Sequence, residues 1–268
     1  MSRAPGRAGR VLGRWAVIAA AVVLWEVWAR QRGSSFFPPP SAIAARMYGQ
    51  WFSGPASHLF LTRDAVGNVL PSLGRIAAGL AIAVVVGGVA GVAIGRSAAL
   101  SGYLDPLLQF ARALPAVTLV PVFIALFKIG TEMEVATIAF GTVWPILLNT
   151  IDGARSVDPV QVETARAFRL PGWQRLTKLI IPATMPRFFA GLRLSLSLAL
   201  VLMVFAELAG SSNGLGYEMN SAQSSFDMTW VWATIVLLAL LGNLFNLLEL
   251  AVERRMLGWH RGARGRTP

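Results

Sequence analysis

The sequence predicts an all-α membrane protein of six transmembrane helices, with a cytoplasmic helical loop between the fourth and fifth. Three observations point there. Of 268 residues, 55% are hydrophobic and 14% charged, where an ordinary soluble domain carries about 25% charged. The apolar residues fall into six runs, each near the ~20 residues that cross a bilayer. The Lys and Arg gather at the two ends and in one internal polar segment, as membrane-flanking segments do. A net charge of +11 would suggest nucleic acid in a soluble protein; placed at span ends it does not, and no nucleic-acid partner is expected. There is no cysteine, which excludes disulfides and thiolate metal sites.

The first run, about 11–29, follows Arg3, Arg7, Arg10 and Arg14. Val27-Trp28-Ala29 loosely fits a leader cleavage site, but Trp25, Glu26 and Trp28 suit an interfacial belt on a retained helix better. The second run, about 69–94, contains Gly87 and Gly91 in a G-x-x-x-G pair. That spacing permits close helix approach in lipid, although membrane helices also tolerate glycine without such contact. The third, about 104–127, holds Pro106, Pro115 and Pro121. Each removes a backbone donor and bends or breaks a helix, a defect tolerated in lipid only beside other helices or a wet cavity. The fourth is about 135–151, the fifth about 188–208, and the sixth about 228–251. Between the last two, residues 209–227 are rich in Ser, Asn and Gly and carry no Lys or Arg.

With the N-terminus inside, sixteen Lys and Arg fall in inner segments and five in outer ones, in keeping with the positive-inside rule. Four of the five (Arg30, Arg32, Arg46 and Arg63) lie in the first outer loop. The expected organisation is a basic cytoplasmic N-terminus (1–10), a membrane domain (11–252) whose loop spans about 156–186, and a basic cytoplasmic tail (253–268). Asp158-Pro159 reads as an N-cap with proline at the first helical position. A helix is expected from there to about Arg169, a break at Leu170-Pro171-Gly172, and a second helix from Trp173 ending at Pro182. The loop is thus a hairpin on the cytoplasmic surface, with Glu163 near its start; on pattern alone an interfacial hairpin with Arg on lipid headgroups fits as well.

The Glu163–Pro182 segment resembles the EAA loop of bacterial ABC-importer permeases. Glu163 and Ala165 match, and Pro182 falls nineteen residues after the glutamate. Thr164 replaces the second alanine, and Arg169 stands where that family has glycine. Phe37-Pro38-Pro39-Pro40-Ser41, Leu73 to Gly79, Arg112-Ala113-Leu114-Pro115 with Pro121, Gly191-Leu192-Arg193, Ala206-Glu207, Gly214 to Tyr217 and Glu253-Arg254-Arg255 extend the likeness from about Trp25 to His260. Together they resemble the sulfonate, taurine and nitrate permeases. The resemblance implies a bacterial inner-membrane permease with both termini cytoplasmic. It also implies a second permease copy, two ATPase subunits and an extracytoplasmic binding protein. ATP and Mg would sit on the ATPase and no cofactor on this chain. It makes Glu163, Ala165, Gly172, Trp173 and Pro182 the coupling surface.

This chain is not expected to be an enzyme. Neither lysine lies in a Gly-Lys-Ser/Thr phosphate loop, and His58 and His260 are too far apart in topology for a metal pair. Ionisable residues within spans are functional candidates, but of Glu26, Arg75, Arg112, Arg193, Glu207, Glu249 and Glu253 most fall near span ends, where snorkelling suffices. No span combines several convergent donors, so a permissive path is expected. Its candidates are Ser72, Arg112, Pro115, Thr118, Asn149 and Ser195. Glu207, Gly214, Gly216 and Tyr217 form a candidate outer gate, against a plain turn. The cargo implied is taurine, an alkanesulfonate or a nitrate-like anion, moved by alternating access. Aromatic carboxylates or a thiamine precursor come next, and an ATP-independent facilitator or channel is the other class.

Overall fold

The computed structural model describes residues 7–58 and 60–257. The expected tail beyond 257, with His260, and the first six residues of the expected basic N-terminus lie outside them. The described residues form helices and turns, without a strand. Two compact units emerge: residues 1–67 with 218–237, and residues 68–217 with 238–268.

In the first unit, α1 (Arg7–Arg32) is followed by α2 (Pro40–Met47). Pro39 cannot cap α2 with a side chain. Glu26 of α1 does so instead: it accepts from the Ser41 backbone N–H at 2.9 Å and the Ser41 hydroxyl at 2.7 Å. A carboxylate there also faces the positive end of the helix dipole. Arg30 pairs with Glu26 at 2.5 Å, and Arg46 with Asp227 at 2.8 Å. Two of the four arginines that count against the charge orientation are therefore partly neutralised. Trp25 is half-buried, its ring 5.2 Å from that of Trp232, and Trp28 is exposed.

The second unit is built on α3 (Leu70–Arg96), α6 (Thr131–Arg155) and α9 (Ile181–Gly210). Along α3, Gly79, Gly87 and Gly91 face α6: a Cβ at Gly87 would come within 3.0 Å of Ile146, and one at Gly91 within 2.6 Å of Thr150. Between tolerance and close approach, the Gly87–Gly91 pair belongs to close approach. Met133, Ile138, Ile146, Ala199 and Met203 fill the interior.

The third run is two helices, α4 (Ala98–Ala113) and α5 (Val120–Phe127), whose axes turn by 84°. The turn lies at Leu114-Pro115, where both residues are extended, as a residue before proline is driven to be. Pro121 falls in the first turn of α5, where its missing N–H costs nothing. α4 leans on the core through Leu104 and Leu108, and α5 through Val120.

After α6 come α7 (Pro159–Ala167) and α8 (Gly172–Arg175). The expected stop at Pro182 does not occur. A π turn over 176–180 leads directly into α9, giving one helical run from Gly172 to Gly210. Pro182 lies in the first turn of α9, and the wider π turn before it absorbs the missing donor. Residues 209–227 are not simply a loop, since α10 (Leu215–Ser224) forms there; α11 (Met228–Met256) completes the chain. Among the described residues, four helical runs (65–96, 131–155, 172–210 and 228–256) are long and apolar enough to cross a membrane, and the bent α4–α5 pair makes up to five.

Candidate functional site

Two sets of residues stand at opposite ends of α6, whose 25 residues span ~37 Å at 1.5 Å per residue, more than the ~30 Å hydrocarbon core. At its C-terminal end is the α7–α8 hairpin. Asp158 caps α7 by accepting from the Val160 N–H at 2.8 Å, with Pro159 at the first helical position, as the sequence predicts. Val162 and Ala165 are buried. This seats α7 on the bundle and leaves Glu163 exposed, in the second turn rather than the first. Beside Glu163 the hairpin exposes Val160 (67%), Phe168 (77%) and Trp173 (63%). Gly172 is exposed as well, and Pro182 is half-buried at the base. Exposed apolar side chains of this size are the kind that interaction surfaces carry. The sequence singled out Trp173 but not Val160 or Phe168.

Arg169 ends α7 in the left-handed region, at φ +52°. Its N–H donates to the Arg166 carbonyl at 2.8 Å, and the Leu170 N–H donates to the Ala165 carbonyl at 3.0 Å. This is the Schellman arrangement, in which glycine is the preferred residue at the left-handed position. The departure from the EAA pattern therefore falls on the residue whose backbone most favours glycine. The turn itself stays at Arg169 and is not displaced to Pro171-Gly172.

At the other end of α6 lies a buried polar cluster. Arg75 of α3 pairs with Glu134 of α6, and its Nη1 reaches Glu207 of α9 at 2.7 Å. The same nitrogen donates to the Asn213 carbonyl at 3.0 Å, and Nη2 to the Asn213 side chain at 2.6 Å. Glu207 also accepts from the Ser72 hydroxyl at 2.7 Å and the Gly216 N–H at 2.8 Å. The Leu215 N–H donates to Ser72 at 2.9 Å. Gly214 sits at φ +116°, where a Cβ would lie 2.4 Å from the Glu207 carboxyl carbon. Glycine is required there by conformation and by space.

Glu207, Gly214 and Gly216 of the candidate gate thus come together, whereas Tyr217 is 41% exposed. Arg75, Glu207 and Glu249 are buried, which corrects the snorkelling reading for all three. Arg75 also heads a convergent donor cluster that the sequence reading did not expect. Its donors are spent on the protein's own carboxylates and Asn213, so they do not make an open anion site. Glu134 went unnamed because it lies one residue before the expected start of its span.

The path candidates separate. Arg112, Pro115 and Thr118 are exposed along the α4–α5 bend. The Arg112 Nε donates to Gln109 at 2.6 Å, and the Thr118 hydroxyl to the Pro115 carbonyl at 2.7 Å. Asn149 is half-buried and donates to the Pro145 carbonyl at 2.8 Å. Ser195 is fully buried, its hydroxyl donating across α6–α9 to the Thr142 carbonyl at 2.6 Å; such a bond joins helices. Ser72 belongs to the cluster above. Neither serine is placed along an open path. Arg193 pairs with Glu253 and also meets Glu249 at 3.1 Å. Among the described residues no group of three His, Asp or Glu could hold a metal ion.

A bilayer-deep helical bundle, with an apolar-tipped hairpin at one end and a loop tied to three helices at the other, has the build of a transport permease. The chain belongs to the family described as the binding-protein-dependent transport system inner membrane component, which it matches over residues 80–258. It is an integral membrane permease subunit of an ABC importer. It is 34% identical over 207 residues to SsuC of Bacillus subtilis (strain 168), a permease named provisionally for aliphatic sulfonates transport. That match covers 77% of this chain and 75% of the relative. The taurine transport system permease TauC of Escherichia coli (strain K12) is 29% identical, covering 89% and 86%. The formylaminopyrimidine transport permease ThiX of Halalkalibacterium halodurans is 29% identical, covering 90% and 92%. A chain of the MetNI methionine ABC transporter, solved in inward-facing conformations, shares the fold at TM-score 0.60. It is 17% identical, and the match covers 70% of this chain and 94% of that one.

Proposed function

We propose that this permease imports a small organic anion of the sulfonate or taurine type by alternating access. It would have six spans, with α1 as the first and the α4–α5 pair as the third, and both termini in the cytoplasm of a bacterial inner membrane. Two copies would pair, each docking one ATPase through Glu163, Phe168 and Trp173. ATP and Mg would be held by the ATPase, and cargo delivered by an extracytoplasmic binding protein. The observation that carries the coupling role is the exposed apolar tip around Glu163, seated on the bundle by Val162 and Ala165.

The cargo assignment is supported by the names of the sulfonate and taurine relatives. The formylaminopyrimidine relative favours a pyrimidine cargo as the second reading. Cargo choice is expected to reside mainly in the binding protein, since the buried donor cluster around Arg75 is spent on the protein's own carboxylates and Asn213. The test is uptake into proteoliposomes holding the permease, its ATPase and its binding protein. Labelled taurine, an alkanesulfonate and a formylaminopyrimidine are compared with and without ATP. Uptake that needs no ATP would establish a facilitator and overturn the proposal.

A further inference from the structure

An apolar groove of about 670 Å³ runs between α3 and α9. Its walls are Val85, Val89 and Val92 on one side and Leu179 and Phe188 on the other, with Thr150 of α6 at its floor. This α3 face is the one turned away from the glycine face that packs on α6. The groove follows α3 from Val84 to Arg96. That is twelve steps of 1.5 Å, or ~18 Å, close to one leaflet of a ~30 Å hydrocarbon core.

The end of the groove at the hairpin is basic. Arg96 from the end of α3, Arg166 from α7 and Arg175 from α8 all line it, and no Asp or Glu does. Arg96 is partly held by donating to the Ala154 carbonyl at 3.2 Å. The Arg175 Nε is buried without a hydrogen-bond partner. A buried guanidinium nitrogen left unsatisfied is costly, more so for a charged group. Three cations from separate helices thus line one end of the groove, with no carboxylate among its lining residues.

We propose that this groove binds one anionic phospholipid of the leaflet facing the hairpin, its phosphate held by Arg96, Arg166 and Arg175 and an acyl chain lying between α3 and α9. The apolar depth excludes a small sulfonate, which would bury its charge among valines. It also excludes a soluble partner, which cannot reach a leaflet's depth into the bundle. An amphiphile with a negative head satisfies both halves. Naming the leaflet cytoplasmic rests on the orientation proposed above. The binding itself does not.

The experiment uses the permease with its ATPase, stripped of endogenous lipid in detergent, and native mass spectrometry with added phosphatidylglycerol or phosphatidylcholine. One phosphatidylglycerol per permease chain is expected, with phosphatidylcholine much weaker. Each arginine changed to Gln should weaken phosphatidylglycerol binding about fivefold, and all three on the order of a hundredfold. Gly88→Leu supplies an uncharged second variant. A Cβ there meets Phe188 at an ordinary 3.7 Å, so a side chain can leave the backbone without a clash; its outer atoms would occupy the groove, and binding should fall.

Equal retention of the two lipids, or unchanged retention in either variant, overturns the proposal. So does displacement of the lipid by millimolar taurine, which would make the groove part of the solute path. A labelled cysteine at position 175 found outside the cell would overturn the orientation alone and leave the lipid result standing.

Discussion

Replacing Arg169 by Gly should stabilise the end of the α7 hairpin. Arg169 holds φ +52°, where a Cβ crowds the following carbonyl at a cost of about 1–2 kcal/mol. Glycine removes that cost but returns about 0.5–1 kcal/mol through the greater freedom of the unfolded chain. The net gain is about 0.5–1 kcal/mol, a two- to fivefold reduction in the population of the opened turn. The amides that report it are those of residues 169 and 170, which donate to Arg166 and Ala165. Their hydrogen exchange should slow by that factor in Arg169→Gly. Chymotryptic nicking beside Phe168 should fall with it; trypsin would not serve, because the substitution deletes its own site. Arg169→Ala removes the same charge but keeps the Cβ, and should leave exchange near the wild-type rate. If Arg169→Ala slows exchange as much as Arg169→Gly, then relief of repulsion from Arg166 and Arg175, not backbone strain, governs the turn, and the reasoning fails.

Three further outcomes are expected. Single cysteines placed in this cysteine-free chain at 175 and 213 should label from the cytoplasm and from outside respectively, and external labelling at 175 would reverse the orientation. Glu163→Arg should abolish ATP-driven uptake while the permease stays folded, because an exposed carboxylate contributes little to stability; full uptake in that variant would remove Glu163 from the coupling surface. Arg75→Gln leaves Glu134 and Glu207 buried without their cation, a loss of about 3–5 kcal/mol for breaking such a pair. Thermal unfolding in detergent should show it, and adding Glu207→Gln should recover part of the loss; a neutral Arg75→Gln would mean the cluster carries no stability.

Hydropathy recovers the second to sixth runs, because transfer of a 20-residue apolar run is a sum over residues and survives local errors; α1 forms as a helix but is not among the runs apolar enough to span. The sequence reading places the start of α11 at Met228 and the proline-driven break in the third run. The polar cluster left little in the sequence. Arg75 and Glu207 stand 132 positions apart, and each taken alone looks like a charge at a span end. Only their convergence with Glu134 gives the burial meaning. At Arg169 the exchange of glycine for arginine was visible in the motif, while the left-handed backbone that makes it costly was not.

The misjudged end at Pro182 bears on how the two ends of the bundle communicate. A helix stopping there would hang the hairpin from the bundle on a flexible joint. Because the π turn takes up the missing donor, helical structure continues from Gly172 to Gly210. Thirty-four steps, or ~51 Å of helix, therefore separate the exposed Trp173 end from Glu207 without an intervening loop. Glu207 in turn holds Ser72, Arg75 and the Gly216 amide. Unless the run bends at the π turn or at Pro186, a tilt applied at Trp173 becomes a tilt of the whole lever. Its far end bears on α3 and on the segment that follows α9.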